Sequence, residues 1–186
     1  MTDQTTPQAD RRVLLKLSGE AFGGGKVGLD PDEIAALVAK EAQNGLRLAT
    51  DGEFRRSWWH FDFFGMLDGV EVVELDHGIQ FQGVQTRPLG LQVSGQVGFS
   101  DTHPFVAHFR ALAEATAATG ATPKFTIPAP TVFDFRLEPA GITTGLYADR
   151  DALVPDLVQA YRDAVQAFYD AGCRYLQFDD TAWAYL

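Results

Sequence analysis

Short apolar strands alternate with amphipathic helices along this sequence, and the alternation restricts the fold more than any other feature. Apolar residues at helical spacing, each run followed by a glycine, predict helices over 104–119 and 151–171. Another helix is predicted to begin at Asp30-Pro31 and to end at Asn44-Gly45. Aliphatic and β-branched runs predict strands over 12–17, 46–50, 89–97, 124–127 and 174–178. Elements in this order predict βαβ units and a largely parallel sheet, which is an α/β fold.

One antiparallel feature is expected within this arrangement. The runs 70–75 and 79–84 are both apolar, and the turn-forming residues Asp76-His77-Gly78 separate them. That spacing predicts a β-hairpin in which the two runs pair with each other.

Acidic residues follow two of the predicted strands at the point where each strand ends. Asp51-Gly52-Glu53 follows the strand 46–50, and Asp179-Asp180 follows the strand 174–178. If the strands form a barrel, these carboxylates converge on its mouth, where they can hold a substrate ammonium or a metal ion. Capping of the following helices explains the same pattern, and the pattern alone favours capping.

The segment after Glu53 is dense in arginine and aromatic residues. Its arginines, Arg55 and Arg56, either pair with a substrate carboxylate or face solvent. Its aromatic residues either wall a ligand pocket or belong to the core. The aromatic residues are Trp58, Trp59, Phe61, Phe63 and Phe64. The four histidines show no metal-ligand spacing, so no metal is assigned to them.

Composition narrows the possible partners and the compartment. The chain has 186 residues and a formal net charge of −10, which argues against nucleic acid or an anionic membrane as a partner. No apolar run approaches the roughly 20 residues of a membrane span. Cys173 is the only cysteine, so neither an intramolecular disulfide nor a cysteine-rich zinc site is expected. The polar, acidic N-terminus is unlike a signal peptide, and the expected location is the cytoplasm.

Three motifs resemble, in order, the C-terminal catalytic barrel of the cobalamin-independent methionine synthase family, especially its short bacterial relatives. The motifs are LRLATDGEFRRSWWHFDFF, KFTIPAPTVF and AGCRYLQFDDTAWAYL. The resemblance implies a partial (β/α)₈ TIM barrel that is truncated at its C-terminus. It also implies methyl transfer from a 5-methyltetrahydrofolate-type donor to homocysteine or a similar thiol. By resemblance, Glu53 and Asp179 bind the ammonium group of the amino acid (homocysteine or methionine), and Asp180 and Trp183 line the same mouth.

The resemblance also bears on the metal. The family activates the thiol on zinc, which lowers the thiol pKa so that a thiolate attacks the methyl group. Its ligands are a His-x-Cys pair after the strand that carries Asp179, followed by a glutamate and a further cysteine. The sequence ends at Leu186 before such residues, and Cys173 does not match them. The chain is therefore expected to carry no zinc ligand and to be inactive alone.

The head of the chain resembles a different family. The segment RRVLLKLSGEAFGGGKVGLDPD is similar to the N-terminal strand and loop of bacterial UMP kinase, which implies that Lys16, Ser18 and Gly19 bind nucleotide phosphates. The expected organisation is a disordered tail over 1–10, a kinase-like segment over 11–32 and an incomplete barrel over 33–186. Two alternative functions follow from this chimera: a nucleotide-binding fragment, and a non-catalytic fragment that self-associates through open strand edges.

Overall fold

A computed structural model describes residues 31–76, 80–81, 84–85 and 87–185, which form a mixed α/β structure. The helices are α1 (Pro31–Gln43), α2 (Phe61–Phe64), α3 (Pro104–Ala117), α4 (Pro130–Arg136), α5 (Arg150–Asp170) and a 3₁₀ helix (Ala182–Tyr185). The strands are β1 (Leu48–Ala49), β2 (Asp68–Glu74), β3 (Gln80–Phe81), β4 (Val84–Gln85), β5 (Leu89–Gly98), β6 (Thr122–Pro123), β7 (Phe125–Pro128), β8 (Leu137–Ile142) and β9 (Leu176–Asp179). The predicted strand 12–17 lies outside the described residues, and so do Lys16, Ser18 and Gly19.

Parallel pairing joins strands that are distant in sequence. The parallel pairs are β1 with β6, β5 with β8 and β7 with β9. Antiparallel pairs are β2 with β5 and β3 with β4. The parallel strands of an α/β fold are therefore present, but over the described residues the strands form separate small sheets and no closed barrel. In the same part of the chain, no helix is both long and apolar enough to cross a membrane.

The predicted hairpin between 70–75 and 79–84 is wrong. The strand β2 pairs instead with β5, in a register that places Val72 opposite Leu91 and Val70 opposite Val93. Leu91 and Val93 on the longer strand β5 are completely buried. Pairing of β2 with β5 therefore removes more apolar surface from water than a short local hairpin would. The strands β3 and β4 form their own small hairpin within the segment between them.

An aromatic core joins α3 and α5 to β7. The ring of Phe125 lies 5.9 Å from that of Phe109 and 5.3 Å from that of Phe168, centroid to centroid, and all three side chains are buried. From the aromatic-rich segment, Phe61, Phe63 and Phe64 are buried in the same core. The core explanation is therefore correct for these three residues, and Phe61 also borders a surface cleft. The packing of Phe125 between Phe109 and Phe168 holds β7 against the helices.

His103 caps the N-terminus of α3 from a buried position. Its Nδ1 accepts a hydrogen bond from the backbone N–H of Phe105 at 3.2 Å, and its Nε2 lies 3.0 Å from the carbonyl oxygen of Phe63. Because Nδ1 is an acceptor, the proton of the neutral ring is on Nε2, which donates to Phe63. Burial lowers the pKa of His103 to about 4.

We expect stability to fall as the pH falls below 6.5, and His103 to cause part of the loss. Between pH 6.5 and about 4 the unfolded imidazole binds a proton that the folded one does not, so the free energy of unfolding decreases with decreasing pH. His103 alone should remove about 2 kcal/mol between pH 8 and pH 5. Urea denaturation of the wild type and of His103→Asn, which keeps a capping acceptor that does not titrate, measures this. An equal pH dependence in both proteins would contradict the assignment.

A second prediction concerns the irregularity between Asp68 and Val70, where the register of β2 against β5 shifts. Gly69 has φ +70°, and a Cβ there would overlap the backbone of Gln96. Gly45, after α1, has φ +81° with open space around it. Both glycine-to-alanine changes carry the left-handed backbone cost of about 1–2 kcal/mol. Gly69→Ala should lower the free energy of unfolding by about 1–3 kcal/mol more than Gly45→Ala, because it alone adds a steric overlap. Equal losses in urea denaturation would show that the overlap is relieved at no cost.

Candidate functional site

The loop after β1 is anchored from both sides, which fixes the backbone that carries Glu53. The carboxylate of Glu41 on α1 accepts hydrogen bonds from the N–H and the hydroxyl of Thr50, at 3.1 and 3.3 Å. Burial raises the pKa of Glu41, and the hydrogen bonds from Thr50 oppose that rise. The Oδ1 atom of the buried Asp51 accepts from the N–H of Glu53 at 3.0 Å. The chain therefore turns tightly at the position where β1 ends.

Glu53 has a left-handed backbone, with φ +58°. Gly52 before it has φ +62°, a conformation that glycine adopts without cost. For a glutamate the conformation costs roughly 1–2 kcal/mol, so the surrounding contacts have to hold it. Residues held in this way concentrate at functional sites, which makes Glu53 a candidate on geometry as well as on motif.

A buried arginine and a threonine hold the Glu53 carboxylate. Thr126 on β7 donates its hydroxyl to Oε1 of Glu53 at 2.7 Å, and Nη1 of Arg56 lies 3.3 Å from the same oxygen. Arg56 also donates to the carbonyl oxygen of Thr126 at 2.8 Å, and its guanidinium lies over the rings of Phe105 and Phe125. The Arg56 side chain is only 1% exposed, so it is a structural counter-ion; it neither faces solvent nor is open to a substrate carboxylate.

Pairing of β7 with β9 places Asp179 on the sheet face that Glu53 contacts. Thr126 is the register partner of Gln177, and Pro128 is the partner of Asp179. Side chains two residues apart on a strand point to the same face, as do those of register partners in a parallel pair. Gln177 donates its side-chain amide to Oδ1 of Asp179 at 2.5 Å. A continuous polar surface therefore runs from Glu53 through Thr126 and Gln177 to Asp179; we call it the β7–β9 polar face.

Asp180 and Trp183 contact each other through a hydrogen bond. Asp180 accepts from the hydroxyl of Thr131 at 2.6 Å through Oδ1, and from Nε1 of Trp183 at 2.7 Å through Oδ2. Both carboxylate oxygens thus have partners, and the Trp183 ring is 66% exposed. Their predicted place in a shared mouth with Glu53 remains a prediction. Glu53 and Asp180 accept from side chains and not from the N–H groups of a following helix, so capping does not explain these two acidic residues.

A metal site needs several donor side chains close together. Within the described ranges, no group of three or more histidine, cysteine, aspartate or glutamate side chains can hold a metal ion. Burial raises the pKa of the Cys173 thiol, which opposes thiolate formation. The residues present do not fit a zinc site of the kind that the family resemblance implies.

Two residues of the polar face escaped the sequence-based prediction. Thr126 and Gln177 both lie inside predicted strands, and the sequence pattern gives them no role beyond the strand. A signal existed for Thr126, because it is a polar residue between Phe125 and Ile127, which are both buried. Their role depends on the parallel register of β7 and β9, which no local pattern specifies.

Curated relatives match nearly the whole chain. The uncharacterized protein YxjG of Bacillus subtilis is 46% identical over 172 residues, which is 92% of this chain and 44% of that protein. YxjH of the same organism is 44% identical over 169 residues, 91% of this chain and 43% of that protein. The chain thus spans less than half the length of the relatives that it matches. No family model matches the chain.

Solved structures show that the fold is methionine-synthase-like. A candidate vitamin-B12-independent methionine synthase from Listeria monocytogenes has a TM-score of 0.68 and 39% identity, covering 90% of this chain and 48% of that one. A B12-independent methionine synthase from Shewanella sp. W3-18-1, solved in complex with selenomethionine, has a TM-score of 0.60. Its identity is 21%, over 90% of this chain and 45% of that one. At this identity the similarity supports the fold alone.

Similarity to uridylate kinases covers only part of the chain. The uridylate kinase of Clavibacter michiganensis subsp. michiganensis is 63% identical over 43 residues, which is 23% of this chain and 17% of the kinase. The YxjG alignment is too long to be confined to residues 31–186, so it also includes part of the head. The boundary between a kinase-like head and a barrel-like body therefore remains a prediction.

Proposed function

We propose that this chain provides the amino-acid-binding part of a cobalamin-independent methionine synthase-type methyltransferase. In this proposal the β7–β9 polar face binds the ammonium group of homocysteine or methionine, with Glu53 and Asp179 as the anionic partners. The observation that carries it is the position of the Glu53 carboxylate, held on a left-handed backbone against Thr126, on the face that Asp179 shares. The 39% identical Listeria protein supports the class of reaction.

The geometry suits an ammonium ligand. Thr126 and Arg56 both contact Oε1 of Glu53, and within the described residues Oε2 accepts no hydrogen bond. The Glu53 side chain is 31% exposed, so this oxygen can be reached from solvent. An ammonium that leaves water needs charged acceptors to offset its desolvation, and carboxylates on one face supply them. Because Thr126 and Arg56 hold Oε1, they also fix the orientation of the carboxylate and therefore the direction of Oε2.

In this proposal the chain binds and orients the amino acid, and it does not carry out the whole reaction. In the family, zinc supplies thiol activation. The described residues offer no fitting ligands for it. Methyl transfer from a 5-methyltetrahydrofolate-type donor by this chain alone is not expected. A small amino acid is the expected partner, whereas nucleic acid is not, because the net charge is −10.

Isothermal titration calorimetry with L-methionine and L-homocysteine tests the proposal. We expect saturable binding by the wild type, and a loss of about tenfold or more in affinity in Glu53→Gln and in Asp179→Asn, since each removes a charged acceptor while keeping its shape. Glu114→Gln, on the exposed side of α3, removes an equal charge away from the site and should bind as the wild type does.

An analogue of the ligand separates ammonium binding from general binding. 4-(Methylthio)butanoate keeps the thioether chain and the carboxylate of methionine but lacks the ammonium. It should bind the wild type and Glu53→Gln equally weakly. Methionine affinity that is the same in Glu53→Gln and the wild type, or no methionine binding by the wild type, would disprove the proposal.

A second candidate function is nucleotide binding through Lys16, Ser18 and Gly19, and the 63% identity to a uridylate kinase over 43 residues favours it. Thermal denaturation with ATP or UMP discriminates between the two. We expect no rise in the melting temperature with either nucleotide; a rise that Lys16→Met abolishes would favour the second function.

A further inference from the structure

A cavity of about 480 Å³ lies beside the polar face and is not used by the proposed function. It is a half-open cleft bordered by the loop that carries Arg55, by α2, by β2 and by the first turns of α3, and Met66 and Val72 in its lining are exposed. Its walls are largely apolar, and Trp58, Phe61, Met66, Val72 and Phe105 form them. This volume and this lining are those of a site for a small organic ligand.

Two polar atoms in the lining are buried without a partner. Nη1 of Arg55 and Nδ1 of His108 are inaccessible to solvent, and neither has a hydrogen-bond partner among the described residues. A guanidinium N–H that has left water without gaining an acceptor carries a desolvation penalty. Because protein atoms cover these two nitrogens, a ligand in the cavity would meet the other nitrogens of the same side chains, Nε and Nη2 of Arg55 and Nε2 of His108, which make no hydrogen bond within the described residues and are not buried.

The acidic residue in the lining does not neutralise Arg55. Asp62 also borders the cavity, but its carboxylate accepts from the N–H of Ser57 at 2.6 Å and from the N–H of Trp58 at 3.1 Å. These contacts commit both of its oxygens to the loop before α2. The guanidinium of Arg55 is therefore a charged donor in a mostly apolar space, and an anionic acceptor fits it best.

His108 is suited to donate a second hydrogen bond. Burial, with smaller contributions from the charges of Arg55 and Arg56, lowers its pKa to about 4, so the ring is neutral near pH 7. One of its two neutral tautomers carries the proton on Nε2, the ring nitrogen that is not buried. A neutral donor beside a charged donor matches the two oxygens of one carboxylate, whereas a phosphate dianion would bring a second charge against apolar walls.

We propose that this cavity binds a monocarboxylate with an aromatic or branched aliphatic body, with Arg55 as the anchor of the carboxylate. The site is distinct from the polar face and goes beyond the proposed function. Phe105 lines the cavity, and its ring also stacks at 4.4 Å on the guanidinium of Arg56, which belongs to the Glu53 network. The two neighbouring arginines thus have different roles: Arg56 holds Glu53, and Arg55 lines the cavity.

Phenylacetate is the probe, titrated calorimetrically into the full chain at pH 7.5. We expect saturable binding that is weaker by about tenfold or more for phenylacetamide, which has the same shape without the charge. Arg55→Met, which keeps the length of the side chain, should lose a similar factor. Arg110→Met is the matched control, because it removes the same charge from the exposed side of α3 and should leave the affinity unchanged.

A second variant tests the location independently of charge. Val72→Phe places a ring in the apolar end of the cavity while keeping Arg55, and it should abolish binding of phenylacetate. Thermal denaturation of each variant identifies any that fail to fold. Equal affinity for phenylacetate and phenylacetamide, unchanged affinity in Arg55→Met or Val72→Phe, or no saturable binding by the wild type would each overturn the proposal.

Discussion

The buried guanidinium of Arg56 is the interaction on which the site and much of the surrounding structure depend. A charge that is 1% exposed is costly unless it is paired and hydrogen-bonded. Arg56 is paired with Glu53, donates to the carbonyl oxygen of Thr126 and lies over two aromatic faces, and only its Nε lacks a hydrogen-bond partner among the described residues. The network joins the loop after β1 to the strand β7, which are far apart in sequence. The Glu53 carboxylate is thus a counter-ion for the protein itself as well as a candidate ligand group.

The aromatic core makes the strand β7 a rigid support for that network. Phe125 and Ile127, on either side of Thr126, are buried, and Phe125 contacts rings from α3 and α5. A strand fixed on one face by close packing presents its other face in a defined position. Small displacements of the Thr126 hydroxyl are therefore resisted by the core. Side chains that never meet a ligand define the geometry of the polar face in this way.

The sequence was sufficient for the features that local patterns encode. The helices predicted over 104–119 and 151–171 extend over 104–117 and 150–170, because apolar periodicity and terminal glycines are local signals. The segment from α4 to β8 was missed, and the hairpin over 70–84 was wrong, because the pairing of β5 with β2 and β8 is decided by burial between distant residues. Glu53 and Asp179 were predicted as ligand-binding residues from the acidic strand ends together with the resemblance, and that role stays a prediction. Their common face depends on the register of β7 and β9, and the burial of Arg56 depends on its contacts with Thr126, Phe105 and Phe125, which are distant in sequence.

The left-handed backbone at Glu53 restricts which amino acids can replace it during evolution. Threonine, valine and isoleucine are disfavoured there by the backbone itself, whatever their side chains offer a ligand. Asparagine, aspartate and glycine tolerate the conformation, but their side chains are too short to keep the contact with Thr126. A descendant that acquires a new ligand preference therefore has to change elsewhere. Thr126, Gln177 and Asp179, on ordinary extended strands, are the positions of the polar face where the main chain does not restrict substitution in this way.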